Sequence, residues 1–194
     1  MNYFFILIGA ALINNYVLTQ FLGMCPFFGV SRKTETAFGM GISVMFVMTL
    51  ATILTHVFYN AVLIPFGMEY LQTIVFILII ASIVQFVEVF MKKKIRALYG
   101  RLGIYLPLIT TNCAIFGVTL INVLDNYNFL QAIVNSLGAG LGFLLAIVLL
   151  SAIREKYENH PDIPWIFNGF PLALFSAGLM SIAFLGFQGL VIGR

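Results

Sequence analysis

The sequence predicts an all-α membrane protein: six transmembrane helices in two inverted three-helix repeats, with helices 1 and 4 broken. Three observations predict it. The composition is too apolar for water. The apolar runs have the length of membrane-spanning helices. A short cysteine motif recurs half a chain later.

Of 194 residues, 61% are hydrophobic and 9% charged, against roughly 25% charged in soluble domains. A folded chain of this size still presents much of its surface to solvent, so the solvent for most of it must be lipid. Inside hydrocarbon every backbone N–H and C=O has to be paired within the protein, which leaves helices or closed barrels. Barrel strands alternate in polarity over about 10 residues. Here the apolar runs are unbroken over about 20 residues, the length that crosses a core about 30 Å thick. Six are expected, at about Tyr3–Leu22, Ala37–Leu63, Leu71–Met91, Leu102–Leu124, Phe129–Ile153 and Pro171–Ile192.

The first run lacks a charged leader, and Asn14-Asn15 interrupts it with no small-residue cleavage site after it. It therefore reads as a span and not as a cleaved signal. No soluble domain is expected, since the longest loop runs only from Arg154 to Gly169. Lys and Arg fix the orientation. Arg32 and Lys33 follow span 1; Lys92, Lys93, Lys94, Arg96 and Arg101 follow span 3; Arg154 and Lys156 follow span 5. Only Arg194 falls on the other side. Basic loops stay in the cytoplasm, so both termini are expected outside a bacterial inner membrane. The positive charge then faces anionic headgroups. Nucleic acid is excluded as a partner, for want of a folded basic face to present to it.

The repeat is carried by Cys25-Pro26-Phe27-Phe28-Gly29-Val30 and Cys113-Ala114-Ile115-Phe116-Gly117-Val118. Glycines follow each copy at the start of the next span: Gly39 and Gly41, then Gly138, Gly140 and Gly142. The halves are residues 1–95 and 102–194 of one integral membrane domain. An odd number of spans per half turns the second copy over, giving a pseudo-two-fold axis in the membrane plane. Cys25 and Cys113 are then expected to approach each other near mid-depth from opposite leaflets.

Both cysteines sit beside helix breakers. Gly23 and Pro26 flank Cys25, and Pro suits the first turn of a new helical segment. Pro107 and Thr110-Thr111-Asn112 precede Cys113, and Thr and Asn cap helix starts. A helix N-terminus favours thiolate over thiol, and paired buried thiolates call for a cation such as a metal centre. The plainer alternatives are that the cysteines fill space as small hydrophobes, and that the Thr and Asn side chains bond between helices. Iron–sulfur clusters are usually held by four cysteines. Two are present, and neither His56 nor His160 is placed to complete the set, so a second subunit would have to supply the rest.

The run Asn14-Asn15-Tyr16-Val17-Leu18 and the stretch Phe21 to Ser31 closely resemble the A subunits of the Rnf complex. Leu106 to Ala114, Ala152-Ile153-Arg154-Glu155 and Ala177-Gly178-Leu179-Met180-Ser181 agree with them, and the resemblance covers essentially the whole chain. The related E subunits of sodium-pumping NADH:quinone reductase are similar too. The resemblance implies a membrane subunit of an ion-translocating ferredoxin:NAD⁺ oxidoreductase, coupled to Na⁺ or H⁺ transport. It implies pairing with a homologous E-type subunit of opposite topology, together with other Rnf subunits. It also implies an intramembrane [2Fe-2S] cluster held by the four cysteines of the pair, with Cys25 and Cys113 as this chain's metal ligands. Flavins, other iron–sulfur clusters and NAD then belong to other subunits, and this chain has no complete active site or catalytic residue of its own. Thr110, Thr111 and Asn112 are the expected neighbours that tune such a cluster.

Glu88 is the clear ionisable residue within a span and a candidate for an ion path; the alternative is pairing with Lys92, four residues on. Gly138-Ala139-Gly140-Leu141-Gly142 has no preceding strand, so close helix packing is expected there and not nucleotide binding. The rival reading of the whole chain is a secondary transporter or channel without a redox centre, since inverted repeats and broken helices also describe such proteins.

Overall fold

The structure, a computed structural model, describes residues 3–67, 69–94, 106–158 and 169–188. Among them all regular structure is helical. In chain order, α1 is Tyr3–Ile8, widening into a π turn over Gly9–Ile13. α2 is Met24–Val30 and α3 is Thr34–Phe66, with a π turn at Tyr59–Leu63. α4 is Gln72–Lys94, α5 Leu106–Thr110 and α6 Cys113–Leu124. α7 is Phe129–Glu158 and α8 Phe170–Gln188.

Among the described residues five stretches are long and apolar enough to cross a membrane: Thr34–Phe66, Gln72–Phe90, Pro107–Leu124, Phe129–Tyr157 and Phe170–Phe187. The first expected span is different. Its helix stops at Ile13, and the chain turns irregularly until Met24. The cause is local: Asn15 draws the next amides onto its own side chain, and Phe21 and Gly23 take left-handed backbone angles, φ 56° and 80°. α7 also runs past the expected end at Ile153. Arg154 and Lys156 are therefore helical residues and not loop residues. Residues 102–105 and 189–192 of the expected spans, with Arg96, Arg101, His160 and Arg194, lie outside the described residues.

α3 and α7 form the centre. Over their most apolar windows they are 44% and 56% buried, against 22% for α4 and 28% for α8. They run antiparallel and touch at paired glycines. A Cβ on Gly41 would lie 3.1 Å from the Leu144 Cα, and one on Gly140 would lie 2.9 Å from the Met45 Cα. The contact is reciprocal: each helix offers a glycine to the residue four positions beyond the other's glycine. Without a hydrophobic force between helices in lipid, such backbone approach supplies the attraction by van der Waals contact. Gly138 and Gly142 do the same for α1. Their absent side chains admit the Leu7 carbonyl oxygen at 2.7 Å and that of Ala11 at 2.8 Å from the Cβ positions. The glycine run of α7 is thus a packing surface. Large apolar side chains such as Phe86, Phe90, Phe175 and Ile182 point outward, as lipid or a neighbouring protein requires.

Candidate metal centre

The first break is built around Asn15, which is fully buried. Its Oδ1 accepts from the Val17 and Leu18 amides at 3.1 and 3.4 Å. Its Nδ2 donates to the Gly142 carbonyl at 2.9 Å and the Ala11 carbonyl at 3.3 Å. Ser181 of α8 donates to the Leu18 carbonyl, and the Leu22 amide donates to the Tyr16 carbonyl at 3.0 Å. Irregular backbone at membrane depth is tolerable only when satisfied inside protein in this way.

The second break is shorter. The Thr111 amide and hydroxyl both donate to the Pro107 carbonyl, at 3.2 and 3.0 Å, closing α5. Asn112 then caps α6: its Oδ1 accepts from the Ala114 amide at 3.0 Å. That bond fixes which way the amide group points, and it leaves the buried Nδ2 with no partner among the described residues.

The two breaks meet. The Gly23 amide, at the start of α2, donates to the Cys113 Sγ at 2.9 Å, close for a bond to sulfur. Gly23 is pressed against this site, since a Cβ there would lie 3.1 Å from the Ala114 Cβ, 3.1 Å from Phe143 and 3.2 Å from the Asn112 Oδ1. Further contacts cross between the copies. The Cβ position of Gly117 in α6 lies 2.7 Å from Leu22, just before α2; that of Gly29 in α2 lies 3.7 Å from Leu108 of α5.

Cys25 is the second residue of α2 and Cys113 the first of α6, and both are free and exposed. One residue, Met24, separates Cys25 from the glycine bonded to the Cys113 sulfur, so the starts of the two cysteine-bearing helices meet at one junction. Cys25 opens into a groove of about 480 Å³ shared with Phe28, Arg32, Arg154 and Phe170. Thr111 is exposed, Thr110 is half-buried and Asn112 is buried. Among the described residues no three His, Cys, Asp or Glu side chains gather as a metal site. Glu88 is half-buried in the last two turns of α4, and none of the hydrogen bonds above reaches it. The side chain of Lys92, its expected partner, lies outside the described residues.

Residues 3–191 match the family described as "Rnf-Nqr subunit, membrane protein". The chain belongs to the Rnf-Nqr family. With five stretches of spanning length among its described residues, this family member is a multi-pass membrane protein. It is 56% identical over 193 residues, covering all of both chains, to the A subunit of the Na⁺-translocating ferredoxin:NAD⁺ oxidoreductase complex of Acetobacterium woodii. It is 52% identical to the A subunit of the ion-translocating oxidoreductase complex of Syntrophotalea carbinolica, over 99% of each chain. The protein of the same name from Vibrio cholerae El Tor is 51% identical over 98% of each.

Several residues at the site had no distinctive signal in the sequence. Asn15 stood out only as an interruption of an apolar run, and its partner Gly142 is 127 positions away. Arg154 looked like a loop cation, yet it is 8% exposed and bonded to α2. Asn122 and Asn135 bond to each other at 2.7 Å, with the Tyr16 hydroxyl 3.4 Å from Asn135. Nothing in their spacing distinguishes them from ordinary polar residues within helices.

Proposed function

We propose that this chain is a membrane subunit of an ion-translocating electron-transfer complex of the ferredoxin:NAD⁺ oxidoreductase type. Cys25 and Cys113 are two of four ligands of a [2Fe-2S] cluster, and a homologous E-type subunit of opposite orientation supplies the other two. The observation that carries this is the Gly23 amide on the Cys113 sulfur, which ties the two cysteine-bearing breaks together. The names of the relatives, all A subunits of ion-translocating oxidoreductase complexes, support the membership in such a complex.

The residues fit such a group. Both thiols are uncommitted and exposed, as ligands shared with another chain must be. Amide donors to sulfur tune a cluster's potential, and Gly23 already provides one. The unpartnered Asn112 Nδ2, next to Cys113, is a second donor. Two thiolates are half of the usual set, which accounts for a site open toward a neighbour.

A bound cluster supplies one-electron transfer, dividing about 30 Å of hydrocarbon into two shorter steps. The chain's own residues do the positioning. Asn15 holds the first break in shape, Asn112 and Gly23 hold the second against it, and Phe143 and Ala114 fill the space around Gly23. Thr111 closes the turn ahead of Cys113. The reading extends to six spans in two inverted halves, 1–95 and 102–194. The reciprocal contacts Gly41–Leu144 and Gly140–Met45 support it, as a two-fold axis would generate them. It also has both termini outside the cytoplasmic membrane, basic loops within the cytoplasm, and the flavin, nicotinamide and remaining iron–sulfur chemistry in other subunits. Glu88, the acidic side chain inside the span Gln72–Phe90, is the proposed residue of an ion path.

Iron content and visible absorption of the purified complex test the assignment. Cys25→Ser and Cys113→Ser should each remove the absorption and the iron of this one cluster. Either variant retaining a full complement, with normal electron flow, would refute it.

A further inference from the structure

α2 carries Cys25, yet it is only seven residues long, far shorter than a helix that persists by itself. Something must hold it at each end. At its start the Gly23 amide is bound to the Cys113 sulfur. At its far end the holder is Arg154, reaching across from the last turns of α7. The Arg154 Nη1 donates to the Phe28 carbonyl at 2.9 Å and to the Ser31 hydroxyl at 2.8 Å. Ser31 is the residue that ends α2, and it is fully buried. A guanidinium suits this place twice over. It neutralises carbonyls that a helix end leaves unpaired, and its planar fork satisfies two acceptors in fixed geometry, which an ammonium does not.

The charge also has an electrostatic consequence. Arg154 and the exposed Arg32 line the same groove as Cys25, whose other walls include Phe28 and Phe170. A buried positive charge beside apolar walls acts more strongly than one in water. The next residue, Glu155, accepts from the Thr34 hydroxyl at 2.6 Å, at the start of α3. No acidic side chain lines the groove among the described residues.

We propose that Arg154 is a positioning residue for Cys25: it pins the end of α2, and its charge raises the reduction potential of the centre that Cys25 helps to hold. This rests on the cluster reading above. It assigns to a residue outside both breaks a role in setting where the electron rests. Burial and burial-dependent charge effects of this kind are among the main levers on a cluster's potential.

The test is a redox titration of the complex between this chain and its partner membrane protein, followed by electron paramagnetic resonance. Arg154→Gln removes the charge and, being two atoms shorter, the reach to the Phe28 carbonyl. Arg154→Lys keeps the charge and loses the fork. In Arg154→Gln the reduction equilibrium should shift at least tenfold toward the oxidised form, about 59 mV for one electron. Arg154→Lys should restore the potential while altering the line shape. If Arg154→Gln does not assemble, Ser31→Ala is read instead, because it removes one acceptor and leaves the charge. A changed line shape at unchanged potential then supports the pin, and an unchanged spectrum overturns it. A wild-type signal whose potential is the same in all three Arg154 forms overturns the role of Arg154 alone. A wild-type complex without any such signal overturns the cluster reading and this inference together.

Discussion

Gly23 is the position where one added methyl group should do the most damage. Its φ is +80°, and an L-residue with a side chain pays about 1–2 kcal/mol for left-handed geometry. The new methyl would also meet the Ala114 Cβ and a Phe143 ring carbon at 3.1 Å each, and the Asn112 Oδ1 at 3.2 Å. The Ala114 Cβ is fixed to the helix backbone and Phe143 is 1% exposed, so neither has room to withdraw. Overpacking of this kind adds about 1–3 kcal/mol. Gly23→Ala should therefore destabilise the protein by about 2–5 kcal/mol. For a chain of this size that is roughly 5–15 °C in unfolding temperature, read by scanning fluorimetry in mild detergent. The control is Gly29→Ala in α2. Its φ is not left-handed, and its Cβ would meet only Leu108, at an ordinary 3.7 Å. There the helix-propensity gain of up to about 1 kcal/mol should offset any crowding. Equal unfolding temperatures for the two variants would refute the packing argument at the junction.

Gly140→Ala would put a methyl 2.9 Å from the Met45 Cα, so it should cost about 1–3 kcal/mol. Gly178→Ala and Gly186→Ala, which meet open space, should stay within about 0.5 kcal/mol; the same detergent unfolding assay ranks all three. Asn15→Ala leaves two amides and the Gly142 carbonyl without their side-chain partner. At about 1–3 kcal/mol for each stranded group, the variant should fail to accumulate in membranes, as an immunoblot of the membrane fraction would register. Glu88→Gln should slow ion uptake into vesicles while electron flow continues; unaltered uptake would remove Glu88 from the path and leave pairing with Lys92 as its role.

The spans were legible because lipid imposes one rule on every residue in them, and apolar length satisfies it. The breaks were legible in outline for the opposite reason: Gly23, Pro26 and Asn112 each disturb a helix by their own covalent structure. Pro26 lies in the first turn of α2, as expected; what was not legible is the length of the break, which begins upstream at Asn14 and passes through Asn15 and Phe21. What the sequence withheld is what depends on a distant partner. Asn15 has meaning only with Gly142, and Arg154 only with Phe28 and Ser31. The repeat leads to the expectation that Cys25 and Cys113 approach each other; what the structure shows of it is the Gly23 amide on the Cys113 sulfur, which joins the two breaks.

Everything proposed for the redox centre requires those two sulfurs to lie side by side in a single chain, before any partner or metal is added. Nitroxide labels on Cys25 and Cys113 in the metal-free protein measure this directly. The doubly labelled chain should show strong dipolar broadening that vanishes in Cys25→Ser and in Cys113→Ser. A spectrum equal to the sum of the two single-label spectra would contradict it.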